Sequence, residues 1–358
     1  MKQFRAEFTN FDCFIEKKRT PDFNNILKVL KKEIPDRPTL FEFFLNGDLY
    51  DNLTYKIEYK ESDADKDYKR VIDAFRIAGY DYVTMHGSNF GFASNRHQEK
   101  GQASISLNEG TVISDRESFE KYNWPDPDKT DYAGLERISG YLPEGMKIII
   151  CGPDGVLETV VKLVGYENLC YLIADDPELV QEIFDAVGSR FVRYYEICSA
   201  CDSVGALISN DDWGFNTQTF LSVNDMRKFV VPWHKKIANT IHASGKPAIL
   251  HSCGMLDSVM DDIIDDIKYE AKHSYEDGIR PVEKVYEKYG GRIAVLGGID
   301  VDFICRSTPE EVYNRAVSML EKASSKGGYA LGSGNSIPYY VPQKNYLAMI
   351  AAAVMNQE

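Results

Sequence analysis

The stretch Pro247-Ala248-Ile249-Leu250-His251-Ser252-Cys253-Gly254, "PAILHSCG", decides how this chain reads. An apolar run of strand length stops abruptly on a histidine, a cysteine and a glycine. The same pattern recurs in "KIIICG" (147–152), "VGALISNDD" (204–212), "YEAKHSYE" (269–276), "RIAVLGGID" (292–300) and "GYALGSG" (328–334). Each run leads into a polar or glycine-rich loop. Helical patterns occupy 176–201, 222–245, 256–267, 280–290 and 308–327 between them; the last three open on first-turn acids or an Xaa-Pro entry. Alternating strand and helix implies a parallel sheet.

Upstream, "YDYVTMHG" (80–87) adds a seventh strand, and the irregular stretch 88–145 leaves room for an eighth. No Gly-x-Gly-x-x-Gly follows the first strand, which argues against an open dinucleotide-binding sheet. Polar residues gather at the C-terminal ends of nearly every strand, where a barrel keeps its active site. The expected fold is therefore an α/β (β/α)8 TIM barrel over residues 79–358. A helical extension, 1–78, packs on it and closes with a helix stopped by Gly79, and a long insertion follows the first strand.

Composition narrows the function. The 358 residues are 44% apolar and 27% charged, with a net charge of −14 and no local Lys/Arg cluster. Such a surface repels phosphate backbones, so nucleic acid is not an expected partner. The N-terminus lacks a secretory pattern, no run approaches the roughly 20 apolar residues of a membrane span, and seven cysteines without a disulfide-like spacing suggest a reducing cytoplasm.

Strand side chains alternate, so His251 and Cys253 point to one side at the end of their strand. An imidazole and a thiolate placed so can both reach zinc at about 2.0–2.3 Å. The plainer alternative is a buried cysteine beside a hydrogen-bonded histidine. A zinc site needs a third ligand from another strand end: Glu158, Asp211, Asp212, His273, Glu276 or, poorly suited, Ser333. Glu158 could instead serve a helix N-terminus, and the two aspartates could cap the next helix. Cys198 and Cys201 form a CxxC without a thioredoxin-like surround and read as packing. Trp213, Phe215, Tyr339 and Tyr340 could line an aromatic pocket.

At "DDWG", "TFLSVNDMRKFVVPWHKKI", "LHSCG", "VLGGIDVDFICRSTPEEV" and "GSGNSIPYYVP" the chain resembles the uroporphyrinogen decarboxylase superfamily. The likeness covers roughly 140–355, with a looser echo from about 36 ("DRPTLFEFF") to 86. It implies the same barrel. True decarboxylases carry an N-terminal Arg-Gln-Ala-Gly-Arg-Tyr signature for a polycarboxylate substrate. Here the nearest string, Arg76-Ile-Ala-Gly-Tyr80, has one arginine and ends a helix.

The other branch holds zinc-dependent methyltransferases that exchange a methyl group with cobalamin on a separate corrinoid protein. Its zinc is held by a His-x-Cys, matched by His251 and Cys253, and by a cysteine in the last glycine loop, where Ser333 stands. That departure leaves the third ligand open, with Glu158 the first choice. The resemblance implies a methyltransferase with zinc as Lewis acid and a small methylated donor, aryl methyl ethers among the candidates. Asp211 and His273 are the expected catalytic residues, and His86, Trp213, Asn335 and Tyr339 the expected substrate contacts. A decarboxylase-like lyase and a non-catalytic tetrapyrrole or corrinoid-protein binder are the competing readings.

Overall fold

The computed structural model describes residues 3–95 and 106–356. Seven strands form one all-parallel sheet in sequence order: β1 (Tyr82–His86), β2 (Lys147–Cys151), β3 (Val204–Asn210), β4 (Ala248–His251), β5 (Ala271–His273), β6 (Ala294–Leu296) and β7 (Tyr329–Ala330). The β-branched and apolar runs at the centre of β2, β3 and β4 are fully buried, as expected of strands covered on both faces. Helical crossovers between successive parallel neighbours curl such a sheet toward a barrel. The crossovers follow the rules of helix termini. Helix 66–78 stops at Gly79 in the left-handed region, and helix 309–323 opens on a Thr308/Glu311 capping box.

Among the described residues, 88–145 contributes no eighth strand to this sheet. Among the described residues, that stretch holds only short helices, Arg116–Lys121 and Ala133–Ser139, and the turn Pro127–Lys129. Residues 96–105 of it lie outside the described residues. Instead, residues 39–45, "TLFEFFL", run between β7 and β1. They bridge in parallel to the chain after β7 at Leu40–Leu331 and Leu45–Ile337. Phe41 N–H donates to Leu331 O and Leu331 N–H to Thr39 O, both at 2.8 Å. On the other flank, the Tyr82 hydroxyl of β1 donates to Glu42 O at 2.8 Å and accepts from Glu42 N–H at 2.7 Å. The segment escaped the periodic reading because a glutamate interrupts an otherwise apolar run.

That glutamate is wholly buried. Glu42 meets Ser333 twice, accepting its N–H at 2.6 Å and sharing a hydrogen with its hydroxyl at 2.7 Å. Burial outweighs both contacts and pushes the carboxyl up to about 8 from the ordinary 4.5. With the carboxyl raised to about 8, the acid is largely protonated at neutral pH. The unfolded chain has lost this proton by about pH 6, so the folded state binds more protons between the two values. Stability from the neutral acid is complete below the unfolded value and drains away as pH rises through about 8. Relative to Glu42→Gln, the wild type should therefore lose up to about 1.4 kcal/mol of stability per pH unit between about pH 5 and 8. Urea unfolding across that range reads the difference; parallel curves for the two proteins would contradict the protonated assignment.

Candidate metal centre

The ends of β3, β4 and β5 are level because Asn210 pairs with His251 and His251 with His273. The chain leaves β3 through two aspartates that part company. Asp211 is fully buried and spends its carboxylate on the scaffold. It accepts from Leu157 N–H and Glu158 N–H at 2.9 Å each, from Trp213 Nε1–H at 3.0 Å, and contacts His234 Nε2 at 2.8 Å. The two amides open helix Val156–Val164, so Asp211 caps that helix from across the sheet. A carboxylate saturated this way is not placed to exchange protons with a substrate. Trp213, with no exposed surface, is not placed to touch one.

Asp212 points the other way. One donor atom each from Asp212, His251 and Cys253 lies within 4.8 Å of the others. Cys253 N–H donates to Asp212 Oδ1 at 2.8 Å, which ties the two loops together. Gly254 makes the approach possible: its φ is +97°, and a Cβ there would stand 2.3 Å from Gly214 O.

The tautomer of His251 follows from its neighbours. His273 Nε2 faces Ser333 O at 3.3 Å, and a carbonyl can only accept, so that nitrogen carries the proton. His273 Nδ1 is then the acceptor in its 2.7 Å contact with His251 Nδ1. His251 Nδ1 donates, and its Nε2 keeps a free lone pair. Gly297 leaves room for this chain, since a Cβ there would sit 2.2 Å from Ser333 O and 3.0 Å from His273 Nε2. Burial lowers both imidazoles, His251 to about 4 and His273 well below its usual range, so both are neutral at pH 7. Phe43 stacks on His251 at 4.3 Å with the rings 18° apart, and Phe41 packs on His273 at 5.0 Å.

A neutral imidazole, a carboxylate and a thiol converging at strand ends fit a three-ligand zinc site with an open fourth position. Among the described residues, the group whose donor atoms converge contains Asp212, one of the alternatives, with Glu158 behind it. The Glu158 carboxylate accepts from Asp212 N–H and is pushed well up by burial and by Asp212, Asp211 and Asp154. His273 is buried and braces His251 rather than facing outward.

The expected substrate contacts are scattered. His86 opens to solvent at the end of β1, its Nδ1 3.5 Å from Cys151 Sγ and its ring 5.6 Å from Phe44. Asn335 Nδ2 approaches Cys253 Sγ at 3.5 Å, which places it beside the three-residue group. Tyr339 is 70% exposed on the rim, where its hydroxyl accepts from Gly47 N–H at 3.3 Å, away from any enclosed wall. Ser333 is held by Glu42. The sequence reading missed Phe43, Glu42, Lys272 and Ser274. Only the "FEFF" string offered a signal for the first two.

Residues 111–354 match the sequence profile of the family described as Uroporphyrinogen decarboxylase (URO-D). The chain belongs to this family. The assignment drawn from "LHSCG", "GGID" and "GSGN" is thereby borne out. A curated relative, the methylated-thiol–coenzyme M methyltransferase of Methanosarcina mazei, is 27% identical over 241 residues, covering 65% of this chain and 61% of the relative. The match thus spans about three fifths of that protein's length. Among solved structures, one titled methyltransferase from Methanosarcina mazei superposes with a TM-score of 0.64 at 16% identity, covering 94% of this chain and 98% of that one. That likeness establishes a shared fold. No helix among the described residues is long and apolar enough to cross a membrane.

The two aspartates separate by measurement. Asp211→Ala strands two amides, an indole and an imidazole, and should cost about 3–5 kcal/mol in urea unfolding. Asp212→Asn keeps the acceptor for Cys253 N–H and should cost under about 1 kcal/mol while losing bound metal. The reverse order of stabilities would contradict the assignment.

Proposed function

We propose that this chain is a methyltransferase subunit that moves a methyl group from a small methylated substrate to cobalamin on a corrinoid protein. The observation that carries the reading is the convergence of Asp212, His251 and Cys253 at the mouth of a URO-D family sheet. The family's relatives named as methyltransferases support it. The Asp212 carboxylate at the candidate centre disfavours the competing reading, a lyase for a polycarboxylate, because like charges would repel such a substrate.

Asp212, His251 and Cys253 would hold zinc. When bound, zinc supplies Lewis acidity, lowering the basicity of the heteroatom from which the methyl group departs. The remaining work belongs to the chain. The Ser333 O–His273–His251 chain of contacts fixes the His251 ring and presents Nε2. Phe43 covers one face of that ring and keeps water off it. Burial and three neighbouring carboxylates push the Glu158 carboxyl well up beside Asp212. Asn335 braces the Cys253 sulfur. Methyl ethers, aryl ethers among them, and methylated thiols both present a heteroatom suited to the open position.

The purified chain should carry about one zinc, and Cys253→Ala should reduce that to background. Methyl transfer to cob(I)alamin, followed by absorbance across a panel of aryl methyl ethers and methyl thioethers, should depend on that zinc. Turnover by metal-free protein would overturn the proposal. His273→Gln, with all three ligands intact, should weaken zinc binding about 10–100-fold; titration against a chelator reads this.

A further inference from the structure

Lys272 is buried to 4% exposure on β5, one residue before His273 and paired with Leu250 of β4. Its ammonium lies 2.7 Å from Ser274 O, 3.0 Å from Ser252 O and 3.5 Å from His273 O. An ammonium has three donors and no acceptor, and here all three are aimed at main-chain carbonyls. The Tyr275 ring covers it, with Nζ 4.4 Å from the ring centroid, while the Tyr275 hydroxyl donates back to Lys272 O at 3.1 Å. Among the described residues no carboxylate lies within ion-pair distance of it. A cation in such a place is costly to bury and needs a reason.

The three carbonyls supply one. Ser252 sits between His251 and Cys253, His273 pairs with His251 at the end of β5, and Ser274 follows it. One ammonium therefore joins the ends of two neighbouring strands immediately behind two of the proposed ligands. Ser274 is held at φ +81°, a conformation non-glycine residues rarely adopt. There its hydroxyl reaches Cys253 Sγ at 3.2 Å. The positive charge of Lys272 also acts on the Asp212 carboxylate of the group.

We propose that Lys272 is a positioning residue: its ammonium clamps the β4 and β5 ends so that Cys253, braced by Ser274, keeps its angle to His251 and Asp212. The inference rests on the reading of those three residues as metal ligands. It predicts a change in coordination geometry when the clamp is removed, which a purely stabilising role for Lys272 would not produce.

The test uses Co2+ added to metal-free full-length protein, because its ligand-field bands report geometry and its sulfur charge-transfer band reports the Cys253 bond. Wild type should show both, and loss of the charge-transfer band in Cys253→Ala assigns it. Lys272→Met should keep the charge-transfer band, shift the ligand-field bands at saturating Co2+, and weaken Co2+ binding about 10–100-fold. Lys272→Arg retains charge but replaces a three-donor head with a planar fork; it should shift the bands the same way by less. Wild-type bands and affinity in a folded Lys272→Met protein overturn the clamp, and so does a lowered melting temperature with unchanged bands. Should Lys272→Met fail to fold, the arginine variant decides alone, wild-type bands and affinity again overturning the clamp. Absence of any charge-transfer band in the wild type would instead overturn the metal centre itself.

Discussion

The 2.7 Å contact between His251 Nδ1 and His273 Nδ1 is the constraint on which the rest of the site depends. Two neutral imidazoles can share that distance only if one donates and the other accepts. The Ser333 carbonyl at the far end of His273 decides which does. The direction of a single hydrogen bond across three strands therefore determines which nitrogen of His251 is free to bind a cation. The level register of β3, β4 and β5 makes the arrangement possible, since a one-residue slip would turn the histidines to opposite faces.

Ser333 links this chain of contacts to the segment 39–45. Its carbonyl orients His273, while its amide and hydroxyl hold Glu42 of that segment. The position where related methyltransferases are expected to carry a ligand thus serves support in this chain. Asp212, two residues past the end of β3, completes with His251 and Cys253 the group that could hold an ion. The two changes are compatible because Asp211, its neighbour, takes over capping of helix Val156–Val164 and leaves Asp212 free.

Charge follows the same division. Burial pushes the carboxyls of Glu42 and Glu158 up, one beside Ser333 and one beside Asp212. Asp211 is an acid whose hydrogen bonds are all internal. Lys272 is a buried base whose acceptors are all main-chain carbonyls. Acid and base alike are solvated by the protein's own polar groups, and this places them more firmly than water would.

The alternation of apolar runs and helical patterns from Met146 onward determined the parallel sheet, because periodicity is a local property that each segment carries by itself. His251 and Cys253 were likewise readable as a pair, since two residues on one strand end must share a face. Which carboxylate joins them was not readable. Asp211 and Asp212 are chemically identical in sequence, and only the position of the first turn of helix 156–164 tells them apart. Trp213 and Tyr339 looked alike as aromatic wall residues, yet packing buries one completely and leaves the other on the rim. The pairing beyond β7 was hidden for a related reason. Residues 39–45 lie nearly 300 residues from their partners at 331 and 337, so their extended form comes from pairing across the whole chain rather than from their own pattern.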